Sequence, residues 1–242
     1  HATLHNFEYI RDKDIRVGDR VLVKRAGEVI PYIIGPIFDV REGTEIEFTP
    51  PLICPACGSP TESIPEEVAW YCINNSCPDQ IVRNIEHFVS KVGMDIVGLG
   101  VKIVQQLVEN RLIKNVADLY ELKKEDLLSL EGFGDKKAES IISAIEKSKN
   151  RTLANLITAL GIHGIGEIAA EELAKRFVDL DELSHIKITD IEAIDGFGPN
   201  SAESLINWFS LESNQKILQK LRSNGVWPIS QVSIENTNKA LG

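Results

Sequence analysis

The sequence predicts a multi-domain chain, with a partial small β-barrel first, a four-cysteine metal module second and an all-α domain of repeated hairpins third. Three observations predict it. Residues 15–40 alternate β-branched runs with turn formers, all four cysteines fall within residues 54–77, and a Gly-x-Gly pattern recurs at a spacing near 32 from residue 98 onward.

The chain has 242 residues, 43% hydrophobic and 26% charged, the balance of an ordinary globular protein. No apolar run approaches the ~20 residues of a membrane span. The chain opens at His1 with neither an initiator Met nor a charged-then-apolar leader, so it reads as part of a longer protein. With 26 basic and 36 acidic side chains the net charge is −10, which excludes adhesion to nucleic acid through bulk charge. Any such binding must rest on local geometry and a few placed cations.

The β segment comes first. Ile15-Arg16-Val17, a turn at Gly18-Asp19, Val21-Leu22-Val23, a second turn expected at Gly27, then Val29-Ile30-Pro31 and the run Tyr32–Val40 read as strands. Pro31 and Pro36 suit edges or bulges. Arg16, Arg20, Lys24 and Arg25 gather along this stretch, and adjacent Lys24 and Arg25 point to opposite faces of a strand. A small barrel of OB type with a cationic face suits a phosphate track; the plainer alternative is a solvated edge whose charges deter aggregation. Fifty residues are short for a closed five-stranded barrel, so its first strands are expected upstream of His1.

Cys54, Cys57, Cys72 and Cys77 follow as C-x2-C-x14-C-x4-C. Thiolates paired on tight turns converge tetrahedrally on Zn²⁺. Two disulfides are the alternative, but no secretory context supports them. Four thiolates leave no open position for water, and residues 51–80 carry no Lys or Arg, so the zinc is structural and binds no phosphate. His87, ten residues on, reads as a packed helix residue.

The repeat comes last. Ile96-Val97-Gly98-Leu99-Gly100, Leu130-Glu131-Gly132-Phe133-Gly134, Ile162-His163-Gly164-Ile165-Gly166 and Ile194-Asp195-Gly196-Phe197-Gly198 place their first glycines 34, 32 and 32 residues apart. After each second glycine, apolar residues recur at +4 and +7: Val104 and Leu107, Ala138 and Ile141, Ala170 and Leu173, Ala202 and Leu205. That spacing is one face of a helix. Each unit is therefore helix, Gly-apolar-Gly hairpin, helix, the helix-hairpin-helix (HhH) motif, whose bare N–H groups meet a backbone phosphate with the helix dipole behind them. A dinucleotide fold is excluded, since no strand precedes the pattern and no G-x-G-x-x-G follows. Lys102 in copy one and Lys136 and Lys137 in copy two favour DNA contact there. Glu167, Glu171, Asp195 and Glu203 leave copies three and four divided between DNA contact and a structural role.

Several blocks, in order, resemble the bacterial NAD-dependent DNA ligases: His1-Ala2-Thr3-Leu4-His5-Asn6, Asp14–Asp19, Arg25–Pro31, the four cysteines, Glu86–Gly100 and Thr158–Ile162. Lys91 and Gly93 are small departures, where Arg and Ala are more usual. The resemblance implies an OB-fold domain over 1–50, a four-cysteine zinc finger over 51–80, an HhH domain with four motifs over 81–229, and 230–242 as a linker towards a BRCT domain. It implies an enzyme that seals 5′-phosphate/3′-hydroxyl nicks in duplex DNA during replication and repair, using NAD and Mg²⁺. It further implies a monomer in the bacterial cytoplasm, associated with the nucleoid. The family's adenylation lysine sits in Lys-x-Asp-Gly, which does not occur here, so no catalytic residue is assigned. The candidate site residues are Cys54, Cys57, Cys72 and Cys77 for metal. For DNA they are Arg16, Arg20, Lys24, Arg25, Gly27, Gly98, Gly100, Lys102, Gly132, Gly134, Lys136, Lys137, Gly164, Gly166, Gly196 and Gly198. A stand-alone zinc and HhH repair module, and a protein-interaction array, are the competing readings.

Overall fold

In the computed structural model the described residues are 1–4, 6–26, 30–63, 69–74 and 77–230. They fall into two compact units, His1–Cys77 and Pro78–Gly242.

The first unit opens with a helix that the strand pattern does not announce. Asn6 accepts the Tyr9 N–H through Oδ1 at 3.0 Å and so caps α1 (Phe7–Asp12). Ile10 of this helix packs with Ile15 and Ile33 in a small buried cluster. The Tyr9 hydroxyl donates to the Ile33 carbonyl at 2.9 Å. Strand β1 (Arg16–Val17) pairs antiparallel with β4 (Ile46–Glu47), and β2 (Val21–Ala26) with β3 (Ile30–Pro36). The expected strand through Val40 is cut short: Ile37 still donates to the Arg20 carbonyl at 2.8 Å, but Phe38–Val40 then turns into a 3₁₀ helix. Strands β5 (Thr61–Ser63) and β6 (Trp70–Cys72) make a third two-stranded ladder. The OB-type barrel is thus partial: among the described residues each sheet has two strands. The turn expected at Gly27 lies outside the described residues.

An ionic clamp holds β1 to the segment after β3. Arg41 meets Asp19 at 2.7 Å and Asp14 at 2.7 Å, and Arg16 also pairs with Asp14 at 2.9 Å. The Asp19 side chain is only 1% exposed, and it also takes the Arg16 backbone N–H at 2.6 Å. A carboxylate so enclosed persists as an ion only because each of these donors reaches it.

The second unit is helical. It contains α2 (Pro78–Val89), α3 (Val101–Glu109), α4 (Lys124–Leu128), α5 (Asp135–Ser148), α6 (Leu153–Ala159), α7 (Glu167–Arg176), α8 (Leu180–Ser184), α9 (Ile188–Glu192), α10 (Pro199–Ser210) and α11 (Glu212–Ser223). The repeat maps onto it directly: α2/α3, α4/α5, α6/α7 and α9/α10 flank the four glycine hairpins. The +4 and +7 residues, from Val104 and Leu107 to Ala202 and Leu205, are all buried in one continuous core. Truncating one of these leucines to Ala would cost about 2–5 kcal/mol, because the neighbours cannot fully close the hole. Lys220 of α11 reaches back to Asp118 and Glu121, at 2.6 Å each, tying the end of copy four to the turn between copies one and two.

Candidate nucleic-acid interface and metal centre

The metal centre is built on two turns. Gly58, at φ +71, donates its N–H to the Cys54 carbonyl at 2.9 Å and closes the first knuckle. In the second knuckle Cys77 donates to the Asn74 carbonyl at 2.9 Å. The four sulfurs lie within 4.8 Å of one another, with Cys54–Cys77 at 3.8 Å and Cys57–Cys72 at 3.5 Å. A disulfide needs ~2.05 Å, so these are free thiols. Zn–S bonds of ~2.3 Å imply a tetrahedral sulfur–sulfur edge of about 3.8 Å. The donor set therefore fits four-coordinate zinc.

The electrostatics point the same way. The Ser59 hydroxyl and backbone N–H stabilise the Cys57 thiolate and lower its pKa to about 6. Cys72 takes an N–H from Asn74, which lowers it, yet burial and the adjacent Cys57 and Cys54 sulfurs push it up to about 12. One thiolate makes the next one costly, and a divalent cation at the centre removes that penalty. His87 stands apart from this chemistry. It is exposed rather than packed, and its Nε2 lies 2.8 Å from the Thr158 carbonyl, because the buried positions of α2 fall on Ile85, Phe88 and Val89 on either side of it.

The four hairpins share one geometry. The first glycine of each has positive φ: +102 at Gly98, +77 at Gly132, +74 at Gly164 and +90 at Gly196. The second glycines, Gly100, Gly134, Gly166 and Gly198, are the N-caps of α3, α5, α7 and α10, with no side chain capping any of them. The first-turn N–H groups of these helices thus have no side-chain acceptor, with the positive end of the helix dipole behind them, and α10 has one fewer because it begins at Pro199. The intervening Leu99, Ile165 and Phe197 are buried anchors as the spacing implies. Phe133 is only half-buried, and the Lys137 ammonium lies 4.0 Å from its ring centroid.

The predicted cations fare unequally. Lys102 and Lys136 are exposed and make no ion pair among the described residues. Lys137 folds back over its own hairpin, 3.4 Å from the Gly132 carbonyl. Arg20, Lys24 and Arg25 are exposed, Lys24 facing Tyr32 and Arg25 facing Pro31 across the β2/β3 ladder. Arg16 is not free for a phosphate, because Asp14 holds it. Gly27 lies outside the described residues. Sequence reasoning missed Arg41, whose partners sit more than twenty residues away along the chain. Other cations of the repeats are held by acids: Lys124 by Asp135 and Glu139, Lys149 by Glu146, and Lys175 and Arg176 by Glu172.

Comparison with known proteins follows the same order along the chain. Residues 1–45 match the family model of the NAD-dependent DNA ligase OB-fold domain, and residues 54–78 that of the NAD-dependent DNA ligase C4 zinc finger domain. Residues 94–147 match a SAM-like helix-hairpin-helix tandem, and 155–218 a helix-hairpin-helix motif. A DNA ligase of Herpetosiphon aurantiacus is 46% identical over 226 residues, which is 93% of this chain and 34% of that protein. DNA ligases of Petrotoga mobilis (45% identical, 93% of this chain, 34% of the relative) and Clostridioides difficile (44%, 98% and 35%) are similar. The chain spans about a third of the length of these relatives. Two ligase-specific domain models, matched in order with the helix-hairpin-helix tandem behind them, identify the chain as a member of the NAD-dependent DNA ligase family, carrying its OB-fold, C4 zinc-finger and helix-hairpin-helix segments.

Proposed function

We propose that this chain is the DNA-gripping portion of an NAD-dependent DNA ligase that joins 5′-phosphate and 3′-hydroxyl ends at nicks in duplex DNA. The observation that carries this reading is the set of glycine-capped hairpins, whose uncapped N–H groups stand beside Lys102 and Lys136 in copies one and two, both exposed and without an ion pair among the described residues. Backbone amides at a helix start take a phosphate oxygen without reading the base, as an enzyme acting at any nick requires. Gly98, Gly100, Gly132 and Gly134 provide that surface, and Gly164, Gly166, Gly196 and Gly198 repeat it in a more acidic setting. In the other unit Arg20, Lys24 and Arg25 add exposed charge for the duplex backbone.

Cys54, Cys57, Cys72 and Cys77 would hold Zn²⁺, which crosslinks a segment too poor in core residues to fold by itself. Zinc here supplies structure alone, since its four thiolates leave no position for water. The NAD and Mg²⁺ chemistry belongs to parts of the enzyme outside this chain, which has no Lys-x-Asp-Gly. The portion works as one copy per nick, in the bacterial cytoplasm at the nucleoid.

Fluorescence anisotropy with nicked duplex, intact duplex and single-stranded DNA tests the reading. Duplex binding above single-strand binding, with the nick preferred, supports it. Equal affinity for all three forms, or none for any, would overturn it.

A further inference from the structure

A groove of about 360 Å³ runs between hairpin one and α5, lined by Met94, Asp95 and Val97 on one side and Ser140, Ser143, Lys147 and Arg151 on the other. We propose that this groove seats a second backbone phosphate of duplex DNA, apart from the amides of the glycine hairpins, with Lys147 and Arg151 supplying the charge and Ser140 and Ser143 the hydroxyl donors. The inference rests on the DNA-binding reading above and deepens it.

Three independent observations carry it. The first is placement. Lys136, Ser140, Ser143 and Lys147 stand at i, i+4, i+7 and i+11, which is one face of a helix, and all four are exposed. The stripe runs about 16 Å along α5, some five base-pair rises, from the start of hairpin two to the groove beside hairpin one. It thus continues the hairpin surface in one direction.

The second observation is that the donors are unused. Several helical hydroxyls in this unit bond to their own helix: Ser148 to the Ile145 carbonyl at 2.7 Å, Thr158 to Ala154 at 2.9 Å, Ser184 to Asp181 at 2.7 Å and Ser210 to Asn207 at 2.8 Å. Ser140 and Ser143 make no such bond among the described residues, and both open onto the groove. Lys147 likewise has no ion pair among the described residues, while its neighbour Lys149 is held by Glu146 at 2.7 Å.

The third is that the wall is held in place. The Arg151 guanidinium donates from Nε to the Gly93 carbonyl at 3.2 Å and from Nη2 to the Lys91 carbonyl at 2.9 Å, fixing the turn that leads into hairpin one. Gly98 approaches α5 so closely that a Cβ there would stand 3.1 Å from Ile141 Cγ1. The two walls are therefore packed together, and the groove is preformed. Asp95 is the one acid lining it, so the groove keeps a net positive charge.

The test uses the full chain and an intact DNA duplex, with anisotropy measured over a salt series. Each phosphate neutralised adds about 0.9 to the slope of log K against log salt. Lys147→Ala should lower that slope by about 1 and weaken binding about 8-fold at ~0.1 M salt, the counterion-release term for one phosphate. Ser143→Ala should weaken binding several-fold with the slope unchanged, and Asp95→Asn should tighten it. Lys136→Ala, at the hairpin, is the reference variant, and an unchanged helical CD melt excludes misfolding as the cause. A slope lost with Lys136→Ala but untouched by Lys147→Ala and Asp95→Asn would overturn the groove while leaving the hairpin reading standing. Absence of duplex binding by the unaltered chain would overturn both.

Discussion

Replacing Gly98 with Ala should destabilise the helical unit more than the same change at Gly132, and the difference follows from the structure. Both glycines open a hairpin with positive φ, +102 and +77. An L-residue held there costs about 1–2 kcal/mol, because Cβ crowds the following carbonyl. At Gly132 nothing lies within 4 Å of the added methyl, so that conformational cost is the whole effect. At Gly98 the methyl would also stand 3.1 Å from Ile141 Cγ1, a buried side chain of the shared core, and overpacking of this kind costs about 1–3 kcal/mol more. The expected losses are therefore about 2–5 kcal/mol for Gly98→Ala and about 1–2 kcal/mol for Gly132→Ala. Urea unfolding followed by CD at the helical band measures both. With m near ~2 kcal/mol/M, the Gly98 variant loses about 1–2.5 M of midpoint. Equal losses at unchanged m would refute the reasoning, since hairpin one would then not be packed against α5.

Zinc removal should act on the first unit alone: a chelator, or Cys57→Ser, abolishes the β5/β6 ladder and changes Trp70 fluorescence, while the helical CD signal persists. Acid should weaken the first unit through its ionic clamp. The hydrogen bond from Arg41 lowers the Asp19 pKa, and those from Arg16 and then Arg41 lower that of Asp14. Carboxylates depressed in the folded state contribute stability that is present above their ordinary pKa of about 4 and is lost as pH falls through the lowered values. Asp19→Asn should flatten this acid limb and lower the melting temperature at neutral pH; a variant with the parent's pH profile would contradict the clamp. Arg25→Ala should weaken nicked-duplex binding several-fold, and an unchanged Kd at moderate salt would remove Arg25 from the interface.

The helical unit was legible because its signals are local. Each hairpin carries its own glycines, and each helix buries its +4 and +7 residues, so repetition in the sequence becomes repetition in space. The cysteines were legible for a similar reason, as two short knuckles need only one ion to join them. The first unit was harder to read. Its six-residue helix is set by a single Asn6 cap, and the 3₁₀ turn at Phe38–Val40 ends a strand that the β-branched run alone would prolong. The pairing of Arg16 with Asp14 belongs to a clamp completed by Arg41, from a distant point in the chain, so the run of local cations did not reveal it. The Ser140, Ser143 and Lys147 stripe was present in the sequence at helical spacing. It gained meaning only when Gly98 brought hairpin one against that face.

The central claim is that hairpins one and two hold phosphates through uncapped amides flanked by Lys102 and Lys136. The salt dependence of intact-duplex affinity for the unaltered chain, against the Lys102→Ala/Lys136→Ala double variant, tests it most directly. The double variant should show a log–log slope shallower by about 2, one contact for each lysine, with the fold intact by CD. An unchanged slope with intact fold would contradict it and move the DNA grip away from these hairpins.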